Sequence, residues 1–382
     1  MKKLLYILVL SIFVTSMSFL IIACGGGGGG GGGSLSGGSG RGTGGGGGSG
    51  GSGITPPAPD NYLLMIMQKA GSGGTFSLSD LTGTWNYHGL VSGDAPQHHP
   101  GWYHGRLDID AYGNVNQDQG DYIDSDGNTI PPANSILNIA SDGIVTDQAD
   151  SHGAMNLGKD LIVITKSDTG FHLQVLQKQV GITFYQSDFE GKWNNHCVIS
   201  GDTQWLGWER GILRFDTNGV FGFILYESSD PNRTAVPIAF NISSTGVVTG
   251  SSNVPGTFHG AMNPGKDLIV GTINDVRGGY KLCVLQRAVS GVTPNDLADT
   301  WNFHGISTGD YPEWTGWFNG QLTADASGVI TQISYTDSSG GSTPPLNSPL
   351  DITTGGILTD QANSSFHGTM NIGKDLIIAT MN

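Results

Sequence analysis

The feature that most constrains this chain is a repeat. Trp85, Trp193 and Trp301 stand 108 residues apart, and each opens a similar segment: "LTGTWNYHG", "FEGKWNNHC" and "LADTWNFHG". The same motifs then follow in the same order. A "GW" run comes next ("GWYHGRLDIDAYGNV", "GWERGILRFDTNGVF", "GWFNGQLTADASGVI"), then a short alternating run, then a His-Gly-x-Met-Asn-x-Gly-Lys-Asp-Leu segment. A fixed period of this kind means that one structural unit has been copied and that the copies share their packing. The copies span about 81–178, 189–287 and 297–382.

Within each copy the runs are short, alternate apolar with polar, and are punctuated by Gly, Asn or Asp. That is the pattern of antiparallel strands joined by tight hairpins, seven or eight to a copy. Only "YLLMIMQKA" could be read as a short helix. Copies one and two end in a strand ("GFHLQVLQKQVG", "GYKLCVLQRAVSG") that copy three lacks, because the chain stops at "DLIIATMN". The missing strand stands at the front of the body: "NYLLMIMQKAGSG" aligns Tyr62 with Phe171 and Tyr280, and Gln68 with Gln177 and Gln286. The expected fold is therefore all-β, with three tandem antiparallel meanders over 62–382. Strand 62–70 completes copy three and pairs with the chain's last strand, closing the body into a ring. Closure removes two apolar edges that would otherwise invite aggregation.

Closing a ring with a terminal strand is similar to the way β-propellers are shut, in topology only. That resemblance implies about six blades of four strands. The "LTGTW" segment resembles the opening of lipocalin and avidin barrels, which implies instead three small barrels, the third completed by the first strand.

The first 24 residues, "MKKLLYILVLSIFVTSMSFLIIAC", place two lysines before an apolar run that ends in Cys24, as an export signal does. The ending resembles the lipobox of bacterial lipoproteins. That implies a signal peptide over 1–23 and a diacylglycerol-bearing Cys24 as first residue of the mature chain. The alternative is an ordinary membrane-spanning anchor, for which the run is long enough. Two or three acyl chains hold a protein stably at a membrane. Gly25 stands where that family places Asp for inner-membrane retention, so the outer membrane is favoured, with the periplasmic or surface face open. Residues 24–61 are otherwise Gly/Ser-rich and Pro-rich, with nothing to offset the entropy of ordering, and read as a tether.

The net charge of −15 leaves no basic footprint for nucleic acid and makes the acyl anchor the expected membrane contact. Two histidines recur in each copy: His88 with His152, His196 with His259, and His304 with His367. Imidazole pairs are candidate metal ligands or general acids and bases; a recurring framework histidine bonded to backbone is the blander reading. Trp102, Trp205, Trp208, Trp314 and Trp317 gather around the "GW" runs and are candidates to stack on a sugar or peptide, against a reading as core. Cys197 and Cys283 occur only in copy two and are a candidate disulfide. "DSDGNT" (124–129) departs from the spacing of an EF-hand and reads as a hairpin turn. Asp110, Asp216 and Asp325 read as turn caps, and Asp160, Asp267 and Asp375 as strand starts. No nucleophile elbow, zinc-protease helix or nucleotide loop is present, and no cofactor is expected. These features together read as an envelope-anchored binding or structural module for a carbohydrate or peptide, without a catalytic role. The alternative is a glycan-acting hydrolase or lyase using His and Asp gathered on one face of the ring.

Overall fold

The computed structural model describes residues 61–71, 75–93, 99–117, 121–129, 135–148, 151–168, 170–201, 206–235, 239–251, 257–275, 278–309, 315–341, 349–361 and 365–382. Cys24, the tether, Trp205 and Trp314 lie outside them. Among the described residues no helix is long and apolar enough to cross a membrane.

Each copy forms one curled antiparallel sheet, of nine strands in copy one and eight in each of the others. The opening strands are Gly83–Ser92, Gly191–Ser200 and Asp299–Gly309. In copies one and two the opening strand pairs with the copy's own closing strand, Phe171–Lys178 or Tyr280–Arg287. In copy three that place belongs to Asn61–Lys69, which lies between the opening strand and the chain's last strand, Leu376–Met381. The closing role expected of the N-terminal strand is thus present, with Leu64 opposite Thr380 and Met67 opposite Ile377. The two outer edges of each sheet curl round and touch. Leu137 N–H donates to the Gly113 carbonyl at 2.8 Å, Phe240 to Gly219 at 3.0 Å, and Leu350 to Gly328 at 2.9 Å.

This topology corrects the blade count. Pairing of the opening with the closing strand joins all strands of a copy into one sheet, so each copy is a small curled barrel and cannot be two four-stranded blades.

The bottom of every barrel is closed by a short helix: Leu78–Leu81, Gln186–Phe189 and Pro294–Asp296. The first-strand tryptophans sit above it, each fully buried, with the indole N–H donating to the carbonyl of Leu81, Phe189 or Leu297 at 2.7–2.9 Å. The recurring Asn-x-Gly-Lys-Asp turns lock the same end. Lys159, Lys266 and Lys374 adopt left-handed backbone (φ 57–58°), and their ammonium groups reach Asp80, Asp188 and Asp296 at 2.9, 2.7 and 2.9 Å. Asn156 caps its own turn by accepting from the N–H groups of Asp160 and Leu161. Asn263 and Asn371 do the same in the other copies. Much of the recurring sequence is therefore a barrel floor.

Four apolar cores result, one inside each barrel and a fourth between the barrels. The fourth takes matching residues from each copy. Leu90, Val163 and Val175 come from copy one, Val198, Val270 and Val284 from copy two, and Ile306, Ile378 and Ile66 from copy three. Strands buried on both faces lose their polar alternation, which accounts for the runs "DLIVIT" and "YLLMIM". Burial of a large aliphatic side chain stabilises by about 1.5–3 kcal/mol, so this shared core welds the three copies into one body.

Candidate functional site

The recurring histidines lie between barrels, and their pairing crosses from one copy to the next. His88 Nε2 of copy one meets His259 Nδ1 of copy two at 3.1 Å, and His152 Nδ1 of copy one meets His304 Nε2 of copy three at 3.0 Å. His196 of copy two and His367 of copy three have ring centroids 5.5 Å apart, and His196 is also bonded to Thr380 and Thr369, each at 3.2 Å. The pairs expected within a copy are thus exchanged around a closed cycle of three seams. That is how a heterologous interface closes a ring. Burial pushes all of these imidazoles down, helped in His88, His196 and His304 by a neighbouring histidine; His259 and His367 fall to about 4. His104 stacks on His259 with centroids 3.6 Å apart and falls to about 3, again by burial first. Such rings are neutral at pH 7 and act as hydrogen-bonding cores of the seams. Among the described residues no group of three or more His, Cys, Asp or Glu side chains is placed to hold a metal ion.

The described "GW" tryptophans belong to the same seams. Trp102 Nε1 donates to Asn274 Oδ1 of copy two at 2.5 Å, Trp208 Nε1 to Asn382 Oδ1 of copy three, and Trp317 Nε1 to Ser167 Oγ of copy one at 2.6 Å. They clamp one barrel to the next; Trp102 also lines a cavity in barrel one, and Trp208 a smaller one at the mouth of barrel two. The alternative reading, with His and Asp gathered on one face, does not match histidines distributed over three seams.

The "DSDGNT" segment is a turn: Asp124 Oδ1 accepts from the N–H groups of Asp126 and Asn128, at 3.0 and 2.9 Å. Asp110, Asp216 and Asp325 cap their hairpins in the same way.

The barrels differ in their interiors. Barrel one contains a cavity of about 580 Å³ that reaches from an apolar floor (Leu107, Val115, Leu176) to a mouth formed by Trp102, Asp126, Lys166 and Asp168. Tyr87, Tyr103 and Tyr122 line its wall. Along that wall the third strand is described in two pieces, Val115–Gln117 and Ile123–Asp124, both paired with the second strand, against one eight-residue strand in each of the other barrels.

Barrel two keeps smaller pockets of about 390 Å³, one beside Phe215 and one beside Trp208 and Arg233, and counterparts by register show how the other interiors are packed. The strand pairs Gly89↔Gln174 and Val91↔His172 of barrel one become Cys197↔Cys283 and Ile199↔Lys281 in barrel two. In barrel three the counterparts are Gly305↔Met65 and Ser307↔Leu63. Barrel three also has Phe303, Phe318 and Met381 in place of Tyr87, Tyr103 and Lys166, all in one apolar core. Barrel two holds Phe215, Phe221, Phe240 and Phe258, together with the Cys197–Cys283 disulfide, whose sulfur atoms are 2.12 Å apart. The disulfide has a steric logic. In barrel one the Tyr103 ring lies over Gly89, leaving no room for a side chain there. Barrel two has Glu209 at the position of Tyr103, and a cysteine fits.

At its mouth barrel two carries a buried charge network. Arg233 reaches Glu209 and Asp275 at 2.9 and 3.0 Å, and Lys281 reaches the same two carboxylates at 2.7 and 2.6 Å. Burial alone would raise the Glu209 carboxyl, but Lys281 and Arg233 outweigh it and hold it below its ordinary value.

The mouth of barrel one carries a different arrangement around Asp168, the counterpart of Asp275. His172 Nε2 lies 2.5 Å from Asp168 Oδ1, Lys166 Nζ 2.8 Å from Asp168 Oδ2, and His172 Nδ1 3.3 Å from the Tyr103 hydroxyl. An ionised carboxylate only accepts, so His172 donates from Nε2 and Tyr103 donates to Nδ1, forming a chain from wall to rim. Burial pushes Tyr103 well above its ordinary value, with the Asp168 charge adding to it. Burial would also raise Asp168, but His172 and then Lys166 outweigh it and hold the carboxyl well below the usual range. Tyr122 is pushed to about 12 by burial and by Asp124 and Asp168. The cup therefore combines an apolar floor, aromatic walls and an ionised, acidic rim, the make-up of a small-molecule site.

Sequence reasoning missed this site because it weighed residues that recur, and the cup is built from those that do not. The available signal was the triplet of aligned positions that change chemical class, Tyr87, Asn195 and Phe303 among them.

No protein-family model matches the chain, and no curated protein matches it. Among solved structures, a protein of unknown function of the DUF3598 family from Nostoc punctiforme matches at 11% identity and a TM-score of 0.21, over 56% of this chain and 99% of that one. A mutant of the vaccine antigen transferrin binding protein B from Haemophilus parasuis matches at 8% identity and a TM-score of 0.20, over 84% of this chain and 75% of that one.

Proposed function

We propose that this protein is a lipid-tethered binding module of the bacterial envelope, in which barrel one holds the ligand and barrels two and three serve as its frame. The observation that carries the reading is the cavity of about 580 Å³ in one of three barrels that share floor, seams and strand order. A copied scaffold repeats its framework, whereas the positions of Tyr87 and Tyr103 beside this cavity carry Asn195 and Glu209 in barrel two and Phe303 and Phe318, both in a packed core, in barrel three. The anchor is Cys24, the tether runs up to the strand that begins at Asn61, and the favoured membrane is the outer one. The ligand is a small molecule or the side chain of a peptide or glycan that enters by the mouth between Trp102 and Asp168.

A thermal-shift screen of the full chain against small metabolites, sugars and short peptides tests the reading, with Gln174→Trp as the blocked form. Gln174 is a half-buried residue lining the cup, so a larger ring there fills it without disturbing the seams. The expected result is a ligand that raises the melting temperature of the natural chain by several degrees and leaves Gln174→Trp unchanged. Ligands that shift both proteins equally would place binding elsewhere and contradict the reading.

A further inference from the structure

Resting on the reading of barrel one as the ligand site, we infer that its ligand is uncharged, with a carboxamide or lactam edge on an apolar body, and that Gln174 reads that edge. The charges at the mouth are already satisfied by the chain itself. Asp168 is held by Lys166 at 2.8 Å and by His172 at 2.5 Å. Asp147 accepts from the N–H and the hydroxyl of Ser151 at 2.9 and 2.7 Å. Asp124 caps its turn and takes the Asn128 side-chain amide at 2.9 Å in addition. Asp126 is exposed to water. A charged ligand entering the cup would give up its hydration without meeting a vacant counter-charge, and a counter-charge taken from one of these pairs would leave its former partner alone.

Halfway down, the interior offers an amide. His172, Gln174 and Leu176 are alternate residues of the closing strand, and all three line the cup, from rim to floor in that order. Gln174 carries a carbonyl acceptor and two N–H donors. It is half-buried, and among the described residues its side chain has no hydrogen-bond partner. Its counterparts differ in kind: Cys283 is bonded to Cys197, and Met65 lies in an apolar core. The Tyr122 hydroxyl, in the same wall, also makes no hydrogen bond among the described residues. Polar groups drawn away from water without partners are costly, so a guest that displaces water here has to bond them. An amide edge presents a donor and an acceptor side by side and can meet those of Gln174 together. The floor of Leu107, Val115 and Leu176 takes the apolar body.

Isothermal titration calorimetry of the full chain with 2-phenylacetamide, and with its near-isosteres phenylacetate and 2-phenylethylamine, separates the cases. The amide is expected to bind at least tenfold more tightly than either, with an affinity that salt leaves unchanged. Gln174→Leu removes the side-chain amide at similar size and should weaken 2-phenylacetamide about tenfold, while the melting temperature of the free protein stays equal or rises. If the acid or the amine binds as tightly as the amide, or if Gln174→Leu binds the amide as well as the natural chain does, while Gln174→Trp blocks binding, the cup stands as a site and this inference falls. If none of the three probes binds, the thermal-shift ligands that Gln174→Trp blocks decide. Uncharged amides that lose their shift in Gln174→Leu support the inference, and any other set overturns it. No ligand responding to Gln174→Trp at all would remove both readings.

Discussion

Barrel one and barrel two are the same machine with different contents. Each closes its floor with a tryptophan on a short helix, each presents a histidine and an indole to its neighbour, and each lends five aliphatic side chains to the shared core. Inside, barrel two packs phenylalanines beneath a disulfide and a four-charge lid, while barrel one has tyrosines around open space. The difference teaches that the outer faces of the strands hold the assembly together and are fixed, whereas the inner faces are free to diverge. Once the seams and central core carry the fold, one interior can be given up to binding.

The largest effect expected concerns what the two barrels share. The seam histidines are neutral when folded down to about pH 4 in His259 and His367, whereas unfolded histidine takes up its proton near 6.5. Between these values the unfolded chain binds more protons. Stability is therefore full above about pH 6.5 and falls as pH drops towards 4, by about 1.4 kcal/mol per pKa unit for each ring. Asp168, which His172 and Lys166 hold well below the usual carboxylate range against the effect of burial, titrates below this window. Urea unfolding at pH 7.5, 6 and 5 should show one cooperative transition whose midpoint falls steeply, since all three seams fail together. A midpoint flat across this range would mean that the seams are not what the barrels have in common.

A smaller effect concerns what they do not share. Arg233→Ala leaves Glu209 and Asp275 buried without a full set of partners and should cost about 3–5 kcal/mol, read from the denaturation midpoint at pH 7. Thr129→Ala, at an exposed position that follows the third strand of barrel one, should stay within about 0.5 kcal/mol. Equal costs would remove the distinction between a plugged and an open mouth.

The sequence made the scaffold legible because scaffolds repeat. The 108-residue spacing of Trp85, Trp193 and Trp301 reports the floors, and the match of Tyr62 to Phe171 and Tyr280 reports the strand that completes copy three. Two features were out of reach for physical reasons. Pairing of an opening with a closing strand about 90 residues later leaves no local signature, so arithmetic on hairpins favoured four-stranded blades over eight-stranded curls. The histidine partners were assigned within a copy because sequence proximity suggests it, whereas a ring brings His88 beside His259. The cup was hidden in the complement of the repeat. Tyr103, Glu209 and Phe318 look like drift until the fold places all three at one position on an inner wall.

The central claim is that a single barrel of the three is built to hold a guest. A crystal of the full chain grown with the tightest ligand from the thermal-shift screen tests it most directly. The account predicts density for that ligand inside barrel one, among Tyr87, Tyr103 and Leu176, with the interior side chains of barrels two and three undisplaced. Density at equivalent depth in either of the other barrels, or a barrel-one interior packed shut by its own residues, would contradict it.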